Sequence, residues 1–573
     1  MKLIPRPLAI ARQRLLLLAG CFVILAGVIV VTLCKVSLGL GHAHKTQTVT
    51  IQDEDDTTTA DDNEPILRGD ITDRNGDMLA TTLRMASVYA DPKEILNIPE
   101  AAAKLAPLLS GETAVSLKQK LSRPRARFIW LKRDITPREE YEINKLGLPG
   151  VDFRYEERRI YPTDNLAAHA VGYTDRDGSG IAGIEKYFDK QLSESDEPLA
   201  LSIDSRVQHI VRRETLNAVQ KFSGIGGIGM MMNVKTGEII AMSSVPDFNP
   251  NDPGATSGIG AIDPKFNRAA LGVYEMGSTF KSLTISLALD SGKVKMFDTV
   301  DARQPIHYGR FTINDFHPEY KIMTVPEVFI FSSNIGTVKI VERIGTEMFR
   351  AFLDKIGMMK PAPIELPEVG HPIIPKPWGD INTMTIAFGH GMAVSPTQLL
   401  RAESAMVNGG ILVTPTLIKK DTNANAAPIG PRVIGPEASL AMQRLLRLNV
   451  LAGTGKKGAV PGYVVGGKTG TTEKNINGHY IHDKLISSFI ATFPMDDPQY
   501  VVLVMVDEPH PRKDTFGYAT GGWVAAPPVA NIIAGAAPIL GIAPRNENAP
   551  ELLQKLAIPG LDYAHVIEEG KGH

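Results

Sequence analysis

The sequence predicts an α+β fold carried on a single transmembrane helix, and three observations point to it. Two apolar runs, GIGMMMNV and EIIAMSSV, read as one pair of strands, and three more between Val464 and Asp507 read as a meander. The chain between the two groups, roughly Pro253 to Leu446, is largely helical in the spacing of its apolar residues. A five-stranded antiparallel sheet drawn from both ends, with the helical stretch as an insert packed on it, accommodates all of these. The third observation is an uncharged run of 20 residues, Leu15 to Cys34, near the start of the chain.

That run is long enough to cross the hydrocarbon as a helix. Lys2, Arg6, Arg12 and Arg14 precede it, and this basic bias puts residues 1–14 in the cytoplasm and everything after residue 34 outside. A cleaved signal peptide fits less well, since its apolar core spans only about 7–15 residues before a small-residue site. Residues 35–64 hold QDEDDTTTADDNE, a solvated linker without a core-forming period. Residues 65–198 alternate short strand-like and helical runs, with a turn at Asn75-Gly76, and read as a mixed α/β module. Leu199 opens the larger domain, expected over 199–545, and residues 546–573 remain as a tail.

Composition removes several function classes. The 573 residues suffice for about two to four domains. With 43% hydrophobic residues the chain can bury a substantial core. A formal net charge of -2 provides no excess of cations for nucleic-acid phosphates. The two cysteines, Cys21 and Cys34, both lie in the apolar run, which rules out a disulfide framework or a cysteine-ligated zinc in the folded part. No pattern calls for a metal or a cofactor.

One stretch invites a different reading. Gly462, Gly467, Lys468 and Thr469 match G-x-x-x-x-G-K-[ST], a phosphate-binding loop, and VVLVMVDE follows. Such a loop must run from a strand into a helix whose N-terminus holds the anion. Here Thr472 leads into EKNINGHYIHDK, which has a turn at Asn477-Gly478 and no amphipathic repeat. The context is an antiparallel meander, so the ATPase reading fails. The same tripeptide at Lys235-Thr236-Gly237 joins two apolar runs and reads as a hairpin turn with glycine where positive φ is needed. Lys235 is therefore expected to point to solvent.

Three other strings carry chemistry. In MGSTFKSLTISLALD, Ser278 and Lys281 lie three apart at the start of a helical run, on one face. The helix dipole favours negative charge developing at the serine, and a lysine of lowered pKa one turn away can take its proton. An S-x-x-K string arises about once by chance in a chain this long. The second string is FSSNIGT, with Ser332 and Asn334, and the third is Lys468-Thr469-Gly470-Thr471. Singly, Asn334 could cap a turn and Ser332 could be a solvated helix residue. Jointly and in this order the three are the signature of penicillin-binding proteins and serine β-lactamases. His390 and Trp523 read as packing residues.

The resemblance then extends over nearly the whole chain. RGDITDRNGDMLA, SVYADPKEI, ERRIYPTDNLAAHAVGY, GIAGIEKYFDKQL, FNRAALGVYEMGSTFK and AFGHGMAVSPTQL resemble successive blocks of the class B penicillin-binding proteins, in the division-specific (FtsI type) branch rather than the elongation branch. Met276 stands where the family usually has proline, the connection from Leu192 to Leu199 is short, and no C-terminal PASTA repeat is expected.

This resemblance implies a membrane-anchored pedestal, or dimerisation-type, module followed by a transpeptidase domain. It implies a DD-transpeptidase that cross-links peptidoglycan stem peptides at the septum and is acylated by β-lactam antibiotics. Ser278 would attack the carbonyl between two terminal D-alanines and Lys281 would accept its proton. Ser332 would relay protons, Asn334 would hold the substrate amide, and Lys468 and Thr469 would bind the terminal carboxylate beside Gly470 and Thr471. The backbone N–H groups of Ser278 and Thr471 would form the oxyanion hole. The lysine pair is expected to keep Lys281 neutral by mutual repulsion. The implied partners are a polytopic septal glycan polymerase and other division proteins, with the catalytic domain on the periplasmic face of the inner membrane. The rival readings are an elongation-type transpeptidase, a hydrolase and a catalytically weak scaffold. Against the class A hydrolase, no Glu-x-x-Leu-Asn pattern lies between Asn334 and Lys468.

Overall fold

The computed structural model describes residues 67–255, 260–421, 427–476, 478–563 and 566. The expected cytoplasmic tail, transmembrane helix and linker, residues 1–64, lie outside the described residues.

The N-terminal module is a twisted sheet with helices on one face. Its long central strand, β1 (Met78–Ala90), pairs antiparallel with both β2 (Ile129–Ile135) and β3 (Val151–Ile160). Helices α1 (Ile98–Leu105) and α2 (Ala114–Leu121) begin at Asn97 and Thr113, whose side chains accept the backbone N–H three residues on. Helix α3 (Pro137–Asn144) starts in a reciprocal cap between Thr136 and Glu139. Leu105, Leu117, Leu121 and Ile143 bury their side chains against Val88, Ile129 and Leu131, which gives the module a core of its own.

A buried charge cluster ties this module together. Glu185 is fully buried and accepts from Arg68 Nε at 2.8 Å and Arg159 Nε at 2.7 Å. Arg68 Nη2 donates to the Glu185 carbonyl at 2.7 Å. Three segments distant in sequence are thereby pinned at one point. The short strand Ile71–Thr72 pairs with β1 on one side and, in parallel, with Leu199–Ala200 on the other, where the chain passes into the larger domain.

In that domain α4 (Ser205–Lys221) is capped by Asp204, which accepts from Arg206 N at 3.1 Å. Strands β4 (Gly226–Asn233) and β5 (Ile239–Val245) follow as the expected hairpin, with Gly237 at φ 78° in its turn. The insert contributes α5 (Phe280–Asp290), α6 (Asn334–Ile344), α7 (Pro396–Val407) and α8 (Pro436–Ala452). It also holds two small hairpin-like pairs, Thr299–Asp301 with Ile322–Thr324 and Ile306–Tyr308 with Phe311–Ile313. The chain then returns as β6 (Gly466–Ile476), β7 (His479–Phe493) and β8 (Tyr500–Asp507).

The sheet order is β6-β7-β8-β4-β5, antiparallel throughout, so the two sequence-distant strand groups join where β8 pairs with β4. Every residue of β4, β5 and β8 is buried, which requires cover on both faces. One cover is α4 with α9 (Ala526–Ile539), through Val207, Val211, Val529 and Ile533. Residues Gly521–Ile539 are apolar and long enough to span a bilayer by length and composition. Val529, Ile532 and Ile533 are nonetheless fully buried against the sheet, the pattern of a core helix. The insert helices cover the other face. Beyond Ile542 the helix Pro550–Leu556 adds Leu552 and Leu556 to this main core.

Candidate active site

Ser278 sits on a tight turn. Gly277–Thr279 form one 3-10 turn that runs directly into α5. Gly277 has φ 55°, and a Cβ there would lie 2.6 Å from Thr472 Cγ2, so glycine is required by conformation and by space. Its N–H donates to the Gly389 carbonyl at 3.1 Å. Met276, in the position where proline was expected, is buried in the main core. Ser278 is half-buried at the head of α5, and among the described residues its hydroxyl takes no hydrogen bond. Contacts of this kind commonly tighten only when substrate is bound.

Lys281 is one turn further on and fully buried. Its Nζ donates to Asn334 Oδ1 at 2.8 Å, to Ser332 Oγ at 3.2 Å and to the Ser332 carbonyl. Burial pushes its pKa down to about 7, with the Asp315 carboxylate opposing. Desolvation is thus the largest cause for Lys281, ahead of the expected repulsion between the two lysines. Repulsion does act on the partner: Lys468 is lowered by burial first and by the Lys281 charge second, against Glu403.

Ser332 occupies φ 58°, an uncommon conformation for a side-chain-bearing residue. Asp315 fixes the three residues that follow Ser332. One oxygen of Asp315 accepts from Ser333 Oγ at 2.7 Å, and the other accepts from the Asn334 and Ile335 N–H groups at the start of α6. Asn334 is engaged within the protein at both ends, since its Nδ2 donates to the Asn314 carbonyl at 2.9 Å.

Strand β6 forms the third wall. Lys468 Nζ donates to Ser332 Oγ at 2.9 Å, so this hydroxyl meets both lysines. Thr469 Oγ1 donates to Thr454 Oγ1 at 2.7 Å, and Thr471 Oγ1 accepts from Gly521 N at 3.0 Å. A Cβ on Gly470 would sit 2.8 Å from the Met276 carbonyl, which measures how closely β6 presses on the nucleophile turn. Lys281, Ser332, Asn334 and Lys468 are thus joined in one hydrogen-bonded cluster, and β6 packs against the turn that carries Ser278. Lys235 belongs elsewhere, in the β4–β5 turn, and it does not simply point to solvent: its Nζ pairs with Asp497 at 3.1 Å.

Sequence reasoning passed over Asp315, Glu403 and Glu275. Glu403, on α7, is buried, with a carboxyl pushed up to about 8 by desolvation. Glu275 accepts from Tyr480 Oη at 3.2 Å, and burial raises it to about 7. His390 is held neutral, lowered to about 4 by burial and by the Lys281 charge. Trp523 is half-exposed, with Lys457 Nζ 3.7 Å above its ring. No cluster of three or more potential metal ligands occurs among the described residues.

A serine at a helix N-terminus, an amine that is half neutral near pH 7 and a hydroxyl bridging two amines can together form and resolve an acyl ester. Comparison with known proteins gives the same direction. Residues 227–534 match the family described as the penicillin binding protein transpeptidase domain, and residues 63–219 match the penicillin-binding protein dimerisation domain. The chain is 40% identical over 493 residues to a probable peptidoglycan D,D-transpeptidase FtsI of Caulobacter vibrioides, covering 84% of this chain and 82% of the relative. It is 30% identical to the peptidoglycan D,D-transpeptidase FtsI of Escherichia coli K12, covering 83% and 84%. The fold is also similar to penicillin binding protein 3 of Mycobacterium tuberculosis, solved with aztreonam, at TM-score 0.65 and 23% identity, covering 84% and 98%.

Proposed function

The chain belongs to the penicillin-binding transpeptidase family, in its FtsI-type D,D-transpeptidase branch, and from that premise we propose how its own residues carry the reaction. The enzyme is a serine-type acyl transferase that cross-links peptidoglycan stem peptides in cell division, and its family binds β-lactams.

Ser278 Oγ attacks the carbonyl between the two terminal D-alanines, and neutral Lys281 takes its proton. The backbone N–H groups of Ser278 and Thr471 receive the oxyanion, where each preorganised donor contributes about 2.7–4 kcal/mol. Ser332 hands a proton to the leaving amine as the C–N bond breaks. Lys468 and Thr469 hold the terminal carboxylate. Asn334 first orders Lys281, and a substrate amide reaches it by replacing the bond to Asn314. The observation that carries this reading is the Ser332 hydroxyl within hydrogen-bond reach of both lysines.

The remaining assignments rest on sequence. Residues 15–34 anchor the protein, N-terminus in the cytoplasm, with the module of 65–198 as pedestal and 199–545 as catalytic domain in the periplasm. The polar run after residue 34 and the basic residues before residue 15 support this orientation. A polytopic septal glycan polymerase is the fitting partner, because cross-linking needs freshly polymerised strands.

Labelled penicillin followed by peptide mapping tests the nucleophile. The adduct should fall on the peptide containing Ser278 and vanish in Ser278→Ala; undiminished labelling of that variant would defeat the assignment. Cross-linking of lipid-linked glycan, rather than mere release of D-alanine, separates transferase from hydrolase.

A further inference from the structure

We propose that Trp523, Lys457 and Phe516 form the subsite for the acceptor stem peptide, the anionic chain whose amine resolves the acyl-enzyme. This rests on the transpeptidase reading above and adds where the second substrate lies.

Direction comes from the chemistry. The acceptor amine takes the place of the departing D-alanine, so it must arrive from the side where that residue's carboxylate was held. That side is Thr469, and what borders Thr469 is Thr454, bonded to it at 2.7 Å, and Gly522, whose Cβ position lies 3.8 Å from Thr469 Cγ2. Trp523 follows Gly522 directly. Lys457 Nζ stands 3.7 Å from the centre of the indole, and Phe516 packs edge-on at 5.7 Å with 80% of its surface exposed. Lys456 lies beside Lys457 and feels its charge.

A half-exposed indole beside an exposed phenyl ring, topped by an ammonium group, suits a peptide that carries free carboxylates: the rings take the flat amide planes and the lysine takes the acid groups. The opposite end of the cleft has the contrary character. There the β6–β7 hairpin presents Glu473, paired with His482, and Glu275 lies against Tyr480. The cationic side chains that attract an anionic acceptor lie at the Trp523 end.

In the step itself the acceptor nitrogen bonds to the ester carbonyl carbon and the bond from that carbon to Ser278 Oγ breaks. The proton shed by the amine passes through Lys281 to Ser278 Oγ, which restores the hydroxyl. Trp523, Lys457 and Phe516 supply position only.

The test measures how the acyl-enzyme divides between aminolysis and hydrolysis in the detergent-solubilised full chain. The donor is a D-alanyl thioester peptide, and the acceptor is a stem-peptide amine with its carboxylates either free or amidated. Both products descend from one intermediate, so their ratio does not depend on the acylation rate. With the free-acid acceptor, Trp523→Ala and Lys457→Ala should each lower the ratio about tenfold, the loss of one anchoring contact. Trp523→Phe should recover most of it, and Lys457→Ala should matter far less for the amidated acceptor. An unchanged ratio in both alanine variants overturns the proposal, as does an equal loss for free and amidated acceptors in Lys457→Ala. Failure of the wild type to form any acyl-enzyme would instead remove the transpeptidase reading.

Discussion

Lys468 Nζ reaches Ser332 Oγ at 2.9 Å, although 136 positions separate the two residues. The same oxygen lies 3.2 Å from Lys281 Nζ. A hydroxyl has one proton and two acceptor sites, so it can accept from a charged amine on one side and donate to a neutral amine on the other. Burial lowers both amines, Lys281 to about 7, so the shared hydroxyl stands between two groups able to exchange a proton with it.

The two Lys-Thr-Gly strings are expected to differ sharply on substitution. Lys468→Ala removes a cleft donor and should slow penicillin acylation by about 100-fold or more, with the fold retained. Lys235→Ala removes a partly exposed pair with Asp497, which is worth at most about 1 kcal/mol, and should leave acylation near wild type. Stopped-flow acylation of both variants checks this; a larger loss in Lys235→Ala would reverse the assignment.

Acylation should depend on pH through Lys281. Its amine must be neutral to take the Ser278 proton, and burial sets its pKa near about 7. The acylation rate is therefore expected to be low in acid, rise through pH of about 7 and level above it. A profile flat from mildly acidic to mildly basic pH would remove Lys281 as the base.

Glu403 predicts a pH-dependent stability of the opposite slope. Its ordinary pKa of 4.5 is raised by burial to about 8. Between those values the folded state holds a proton that the unfolded state has lost, so the stabilisation is full below the lower value and is lost as pH rises through the upper. Glu403→Gln should flatten the fall in melting temperature between those two pH values relative to wild type. Identical slopes in the two proteins would show that Glu403 does not titrate this way.

Glu185→Ala should be among the most damaging changes in the N-terminal module. It leaves buried Arg159 without its carboxylate and Arg68 with only the more exposed Asp189, and breaking a buried pair in this way costs about 3–5 kcal/mol. The urea midpoint of the purified chain measures it. A shift no larger than that of a surface substitution would mean that the cluster carries little of the module's stability.

The strings that meet at the candidate site were legible because each is short, local and ordered along the chain. Ser278 with Lys281, Ser332 with Asn334, and Lys468 with Thr469 each lie within four consecutive residues, and helical spacing alone puts Ser278 and Lys281 on one face. Asp315 and Glu403 were not legible. Each is a single acid without a period, and it acquires its role from partners brought up by tertiary packing. The pairing of Lys235 with Asp497 was missed for a related reason: their turns become neighbours only because β8 pairs with β4, a register no single turn announces. The small strands at residues 299–301 and 306–308 are three residues each, too short for a period of two to register.

The junction of β4 with β8 has a consequence for how the enzyme is made. Strand β4, with its Met230–Met231–Met232 run, emerges early in synthesis, but its partner β8 lies at residues 500–507. Until then the β4–β5 hairpin has an open, apolar edge, and the loop that must be closed to satisfy it includes the whole helical insert. Non-local pairing of this kind slows folding and leaves an adhesive intermediate. Catalytic competence therefore arrives all at once, late in elongation. A premature stop anywhere before Tyr500 yields a chain without a catalytic sheet rather than a weakened enzyme.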